Sequence, residues 1–203
     1  IRQLCNRVLW FDRGRIVADG PAAKVVASYE AEAYADTAVP GGIFRRLPEQ
    51  TRAHSIWIDE VQLRDTNDEL RSSFEWGETL RLVMTLEGQA PADGYSVEWS
   101  INNDRGERVA WGAANPQQDV YFDRRDRVIE CEIGPLPLTS GTYRIWLSVI
   151  LWNQMRWDLW EDAATFRVSM ADLFSSGFDS RADEHGAVAI RHRWRVLERS
   201  ESA

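Results

Sequence analysis

The stretch SGTYRIWLSVIL, residues 140–151, decides the fold class. Ser140-Gly141 reads as a turn, and behind it Tyr143, Ile145, Leu147, Val149 and Leu151 alternate with Arg144, Trp146, Ser148 and Ile150. A period of two is the mark of a β-strand, since successive side chains leave a pleated backbone on opposite sides. One side of this strand is continuously apolar and belongs to a core. The other carries Trp146, Ile150 and then Trp152, an unusual row for an outer face, which usually marks an interaction surface.

The same period recurs on both sides of it. Upstream lie Ile129, Cys131 and Ile133, closed by Pro135 and Pro137. Val97, Trp99 and Ile101 run into the polar turn Asn102–Gly106, from which Val109 and Trp111 return. Leu80, Leu82, Met84 and Leu86 follow the turn at Trp76-Gly77-Glu78. Ile56 and Ile58 are out of step with Val61 and Leu63, which predicts a β-bulge at Asp59-Glu60. Downstream, Phe166 and Val168 form one more strand, and Val188, Ile190, Trp194 and Val196 a last one before the polar tail Ser200–Ala203. About eight short strands separated by turn residues predict an all-β, immunoglobulin-like antiparallel sandwich over residues 54–203. Residues 36–53, with two prolines and a Gly-Gly pair, read as a linker.

At 203 residues and 44% hydrophobic, the chain has material for one core and an appendage. A net charge of −8 argues against a nucleic-acid partner, because phosphates demand a basic surface. Cys5 and Cys131 have no paired spacing and read as reduced thiols in a cytoplasmic protein. No run has the length of a membrane span, and nothing resembles a signal peptide. His54, His185 and His192 fall on different segments, so no metal centre is expected.

Residues 1–35 alternate around Asp12-Arg13-Gly14, predicting a hairpin. A helix is then expected from Gly20-Pro21 to about Tyr29. Leu4, Cys5, Arg7, Leu9, Trp10, Asp12, Gly14, Gly20, Val25 and Tyr29 resemble the end of the nucleotide-binding subunit of ABC transporters, closest to polysaccharide exporters of the Wzt type. No Gly-rich phosphate loop with its Lys and Ser/Thr occurs, so the chain reads as a fragment without ATPase chemistry. ATP and magnesium would belong to the missing part, and no cofactor is expected here. A second resemblance runs through Phe74, Gly77, Glu78 and Leu80, then Asn102–Gly106, then Leu138, Gly141 and Tyr143. In that order, after such a start, they resemble the C-terminal domain of Wzt-type exporters. The resemblance implies a non-catalytic carbohydrate-binding module. Its ligand would be undecaprenyl-linked O-antigen polysaccharide at the inner face of the inner membrane, handed to a membrane-spanning exporter subunit. ABC motors work in pairs, so a homodimer is expected, with residues 187–197 exchanged between partners. A dimerisation or transporter-contact module without a sugar site is the alternative, and a hydrolase would need a defined carboxylate pair that nothing singles out.

Sugars are gripped by flat aromatic faces and fixed hydrogen-bonding groups, and ten tryptophans supply the first. Trp146 on the outer face is one candidate. The run from Trp152 to Asp162 concentrates Trp152, Asn153, Gln154, Arg156, Trp157 and Trp160. Gln117 and Tyr121 lie in a long irregular segment, and Ser100 and Asn102 stand on the outer side of a neighbouring strand. The alternative for each tryptophan is the core, and Trp99 and Trp194 share parity with core residues. Arg191, Arg193 and Arg195 share one face of the last strand; they are expected to pair across strands with Glu130 and Glu132, with an anionic ligand as the alternative.

Overall fold

The computed structural model describes residues 5–12, 14–22, 25, 41–50, 55–151, 155–170 and 185–194. Two compact units divide the chain, Ile1–Pro40 and Gly41–Ala203. In the first, β1 (Arg7–Asp12) and β2 (Arg15–Pro21) form the expected antiparallel hairpin, with Gly14 at positive φ in its turn. Arg7 and Asp19 pair across it. Gly20 and Pro21, expected to open a helix, end β2 instead; Ala22 and Val25 are helical and buried, and the remainder of the expected helix lies outside the described residues.

The second unit contains, among the described residues, β3 (Ile43–Arg45), β4 (Ile56–Arg64), β5 (Ser73–Glu75), β6 (Leu80–Gly88), β7 (Tyr95–Asn102), β8 (Arg108–Ala113), β9 (Val128–Ile133), β10 (Gly141–Leu151) and β11 (Arg156–Ser169). They make two sheets, β3-β4-β6-β9 and β5-β11-β10-β7-β8. All pairs are antiparallel except β5 with β11. The expected all-β sandwich is what forms. Its core is the alternation read in the sequence: Tyr143, Ile145, Leu147 and Val149 of β10 are sealed, as are Leu80, Leu82, Met84 and Leu86 of β6 and Ile56, Ile58, Val61 and Leu63 of β4. Each such side chain gains roughly 1.5–3 kcal/mol on leaving water, and only facing sheets can bury whole rows of them.

The local devices follow from the chain. Ile58 pairs with Leu86 and Glu60 with Thr85, so Asp59 is the extra residue of the predicted bulge and returns Val61 and Leu63 to the core side. The Tyr143 hydroxyl donates to the Thr139 carbonyl at 2.9 Å, a tyrosine corner that accounts for the Leu138–Gly141–Tyr143 spacing.

Three expectations are corrected. The segment 36–53, read as a linker, contributes β3 to a sheet, and behind β3 the Arg46 side chain enters the core. There its guanidinium makes a bidentate ion pair with Asp158 of β11 at 2.8 and 2.9 Å and lies 4.9 Å from the Trp160 ring centre. A buried carboxylate needs such a partner, and Asp158 found one 112 residues away. The expected last strand stops almost at once. Val188 bridges Leu138, and Ala189 N–H reaches the Pro137 carbonyl. Pro137 and Pro135, however, have no N–H to continue a ladder. Residues 189–194 are therefore outside any strand, and Trp194, read as core, is 89% exposed. Finally, Glu130 pairs with Arg81 from the adjacent β6, while Arg191 lies over the Trp76 ring.

Candidate functional site

The outer face of the five-stranded sheet comes first, because the sequence pointed there. Register places Trp146 beside Ser100 of β7, and Ser100 beside Trp111 of β8. Trp146 is half-buried, and its indole N–H donates to Asp162 Oδ1 at 3.0 Å. Asp162 reaches it from an irregularity in β11. Between the pairs Ile145–Ala164 and Leu147–Trp160, β11 carries extra residues, and Asp162 takes a φ of 51°. Arg156, exposed, lies 3.8 Å from Glu98 on the same face.

Several expected ligand groups are not available on it. Ser100 and Asn102 are buried, with Asn102 Nδ2 donating to Ser100 Oγ at 3.3 Å. Ile150 is buried as well. Trp160 is a core residue under Arg46, because its register partner is Leu147, and Trp157 packs half-buried against the core. Tyr121 is half-buried. Trp152, Asn153 and Gln154 lie outside the described residues.

A better-formed concavity opens at the side of the sandwich, where β8 ends one sheet and β9 ends the other. The two edges do not close on each other, and a cleft of about 410 Å³ remains between them. Trp99 and Trp111 supply its aromatic walls, Gln117 and Gln118 its amides, and Glu130 and Glu132 its carboxylates. Trp99 is on the inward side of β7, as its parity predicts. Its indole spreads over Gly112 of β8, the partner residue directly across, where a Cβ would come within 2.7 Å of three ring atoms. With that one side chain missing, the indole reaches the open edge.

The segment that roofs the cleft is tied down from several sides. Ser96 Oγ, on a buried side chain, accepts the Asn115 N–H at 3.0 Å, and Gln117 Oε1 accepts the Ala113 N–H at 2.8 Å. Phe122 exchanges backbone hydrogen bonds with Tyr95 at 2.8 and 3.0 Å and packs on its ring. Gly94, at positive φ, lets the Phe122 carbonyl approach where a Cβ would clash. Burial, then the nearby Asp126 carboxylate, pushes the Tyr95 phenol up to about 12, so it stays a neutral donor to the Asp126 carbonyl. Cys131 also lines the cleft. Burial raises its thiol above the ordinary value, the Trp99 indole opposes that, and Glu130 and Glu132 add to it.

Gln117 is therefore the expected site residue that the structure places in a concavity. Gln118 belongs to the same irregular segment as Gln117, whereas Trp99, Trp111 and the two glutamates are not recognisable as site residues from the sequence. The available signal was Gly112, an isolated glycine inside a strand pattern, which often marks close approach of another group. Among the described residues no cluster of His, Cys, Asp and Glu is arranged to hold a metal, and no helix is long and apolar enough to cross a membrane.

Comparison with known proteins agrees with this architecture. No curated protein sequence matches the chain. Among solved structures, the C-terminal domain of wzt superposes with a TM-score of 0.59 at 15% identity, over 77% of this chain and 92% of that one. The CARDB domain of the PF1109 protein from Pyrococcus furiosus, solved with di-metal ions, reaches a TM-score of only 0.32 at 14% identity, over 60% of this chain and 100% of that one. That second likeness is too slight to bear on anything. The family model of the Wzt C-terminal domain matches residues 49–189, the greater part of the sandwich and most of the chain. With its sheets, tyrosine corner and strand order in place, this chain belongs to the Wzt C-terminal domain family.

Proposed function

We propose that the sandwich is a non-catalytic carbohydrate-binding domain that holds a segment of polysaccharide in the cleft between β8 and β9. The observation that carries the reading is the lining of that cleft. Two indoles offer flat apolar faces for the C–H side of a pyranose, while two amides and two carboxylates stand within the same space for its hydroxyls. Its volume suits one or two sugar rings. Trp146, Arg156 and Glu98 on the outer face extend the platform for a longer chain. Membership of the Wzt C-terminal domain family supports the finer reading. The ligand is an undecaprenyl-linked O-antigen polysaccharide at the cytoplasmic face. Binding selects it for an ABC exporter whose ATP-binding subunit carries this domain.

The domain acts as a homodimer in this account, paired through its last segment. Val188, Ile190 and Trp194 are 45%, 74% and 89% exposed, an apolar row that a single copy leaves in water. Exchange of residues 187–197 between copies covers them. Two sites held side by side raise the effective affinity for a repetitive polymer.

Calorimetric titration of the chain with the host's own O-polysaccharide and with an unrelated one tests the binding. Selective binding without shortening of the polymer is expected, reduced at least tenfold in Trp99→Ala and in Trp111→Ala. Equal affinity for both polymers, or binding untouched by both substitutions, contradicts the proposal. Cleavage of the polymer would make the domain an enzyme instead.

A further inference from the structure

Residues 123–127 read Asp-Arg-Arg-Asp-Arg, a charge mixture that would ordinarily neutralise itself. The fold separates it instead. Asp123 Oδ1 accepts the Arg125 N–H at 2.9 Å, and Asp126 Oδ2 accepts the Asp123 N–H at 2.7 Å, so both acids serve their own turn. Tyr95 fixes that turn from below through the Asp126 carbonyl. Arg124, Arg125 and Arg127 line an open concavity of about 670 Å³ together with Gln89 and Ala90, and no carboxylate lines it. Arg127 keeps one guanidinium nitrogen, Nη1, buried without a hydrogen-bond partner.

Elsewhere in this unit Arg45, Arg46, Arg64, Arg71 and Arg81 each pair with a carboxylate. Among the described residues the three arginines of the concavity form no such pair. In a chain of net charge −8, acids to neutralise them are plentiful, so three unpaired guanidiniums around one hollow leave a place for an anion from outside. Guanidinium is the side chain best suited to it, since its planar fork matches the paired oxygens of phosphate or carboxylate.

We propose that this concavity binds an oxyanion, a phosphate or carboxylate substituent carried on the saccharide. The carrier rests on the carbohydrate reading above; the capture of the anion does not. Phe122 lines the cleft and Arg124 the concavity, two residues apart on one tethered segment. In this proposal an acidic substituent on a polymer seated in the cleft reaches the arginines.

NMR titration of the chain with inorganic phosphate, glucose 6-phosphate, glucuronate and glucose tests it through the arginine Nε–H and Gln89 amide signals. The first three should shift these signals, with affinity falling as salt is added, and glucose should not. Response to phosphate compounds alone, or to glucuronate alone, identifies the source of the oxyanion and supports the site. Arg124→Ala with Arg125→Ala, both exposed and so harmless to folding, should weaken each responding probe at least tenfold while leaving neutral polysaccharide binding in the cleft unchanged. Affinity for the anions within twofold of the parent in that variant overturns the inference, and it does so even where the cleft binds polysaccharide. Anion capture by the arginines with an inert cleft would sink the carbohydrate reading and leave this one standing.

Discussion

Gly112 is the smallest feature on which the cleft depends. Adding a methyl group there drives it into the Trp99 indole, which must leave the edge or push β8 aside. Gly112→Ala is expected to cost about 1–3 kcal/mol in urea unfolding, the usual range for overpacking, and to weaken saccharide binding more than its stability loss explains. Parental affinity in a folded Gly112→Ala chain would show that Trp99 is not a contact. Trp99 also shows how far sequence goes at this scale. Parity assigned its side correctly, but parity cannot reveal that the partner across the strand pair lacks a side chain. Trp160 was misread for a related reason. Its neighbours Asp158 and Arg156 look like a polar loop, yet Asp158 is buried because Arg46, far off in sequence, neutralises it. Arg46→Ala should destabilise by about 3–5 kcal/mol by leaving that carboxylate unpaired. Arg46→Met with Asp158→Leu should recover most of the loss, whereas additive losses in urea midpoints would refute the pairing.

At the level of elements, legibility follows locality. β10 and the Asp59 bulge could be read because an alternating run and a slip of parity are written in adjacent residues. β3 could not, since three residues between a Gly-Gly pair and a proline carry no period, and only β4 makes them a strand. The failed last strand errs the other way: its pattern is good, but Pro135 and Pro137 lack the N–H groups that a ladder beyond the Pro137 carbonyl needs. The turn after β4 makes a prediction of its own. Asp65 Oδ1 accepts the Asn67 and Glu69 N–H groups at 2.8 and 3.0 Å, and Oδ2 lies 3.3 Å from Arg71. The Glu69 amide first, then the Asn67 amide and Arg71, hold the carboxyl below its ordinary value against the opposing effect of burial. A carboxyl lowered by folding stabilises fully above its unfolded value, about 3.9, and loses that contribution as pH falls through the folded one. The stability gap between the parent and Asp65→Asn should therefore shrink from about pH 5 to about pH 2. A gap that stays constant in urea midpoints across that range would contradict it.

At the scale of the whole molecule, the proposed function needs both a side cleft for sugar and an apolar last segment for pairing. Light scattering should give a dimer, and removal of residues 187–203 should give a folded monomer that keeps its single-site affinity; a parent monomeric at every concentration refutes the pairing. The position of the sugar is the central claim, and Cys131 reports on it. Its thiol lines the cleft, whereas Cys5 is exposed in the other unit and serves as an internal reference. Because burial raises the Cys131 thiol, alkylation should be slow near neutral pH and accelerate as pH rises. The deciding measurement is the alkylation rate of both cysteines, by mass spectrometry, with and without saturating host O-polysaccharide. The account predicts at least tenfold slowing at Cys131 and none at Cys5; polysaccharide demonstrably bound, with Cys131 reacting at its free rate, would place the sugar elsewhere and contradict it.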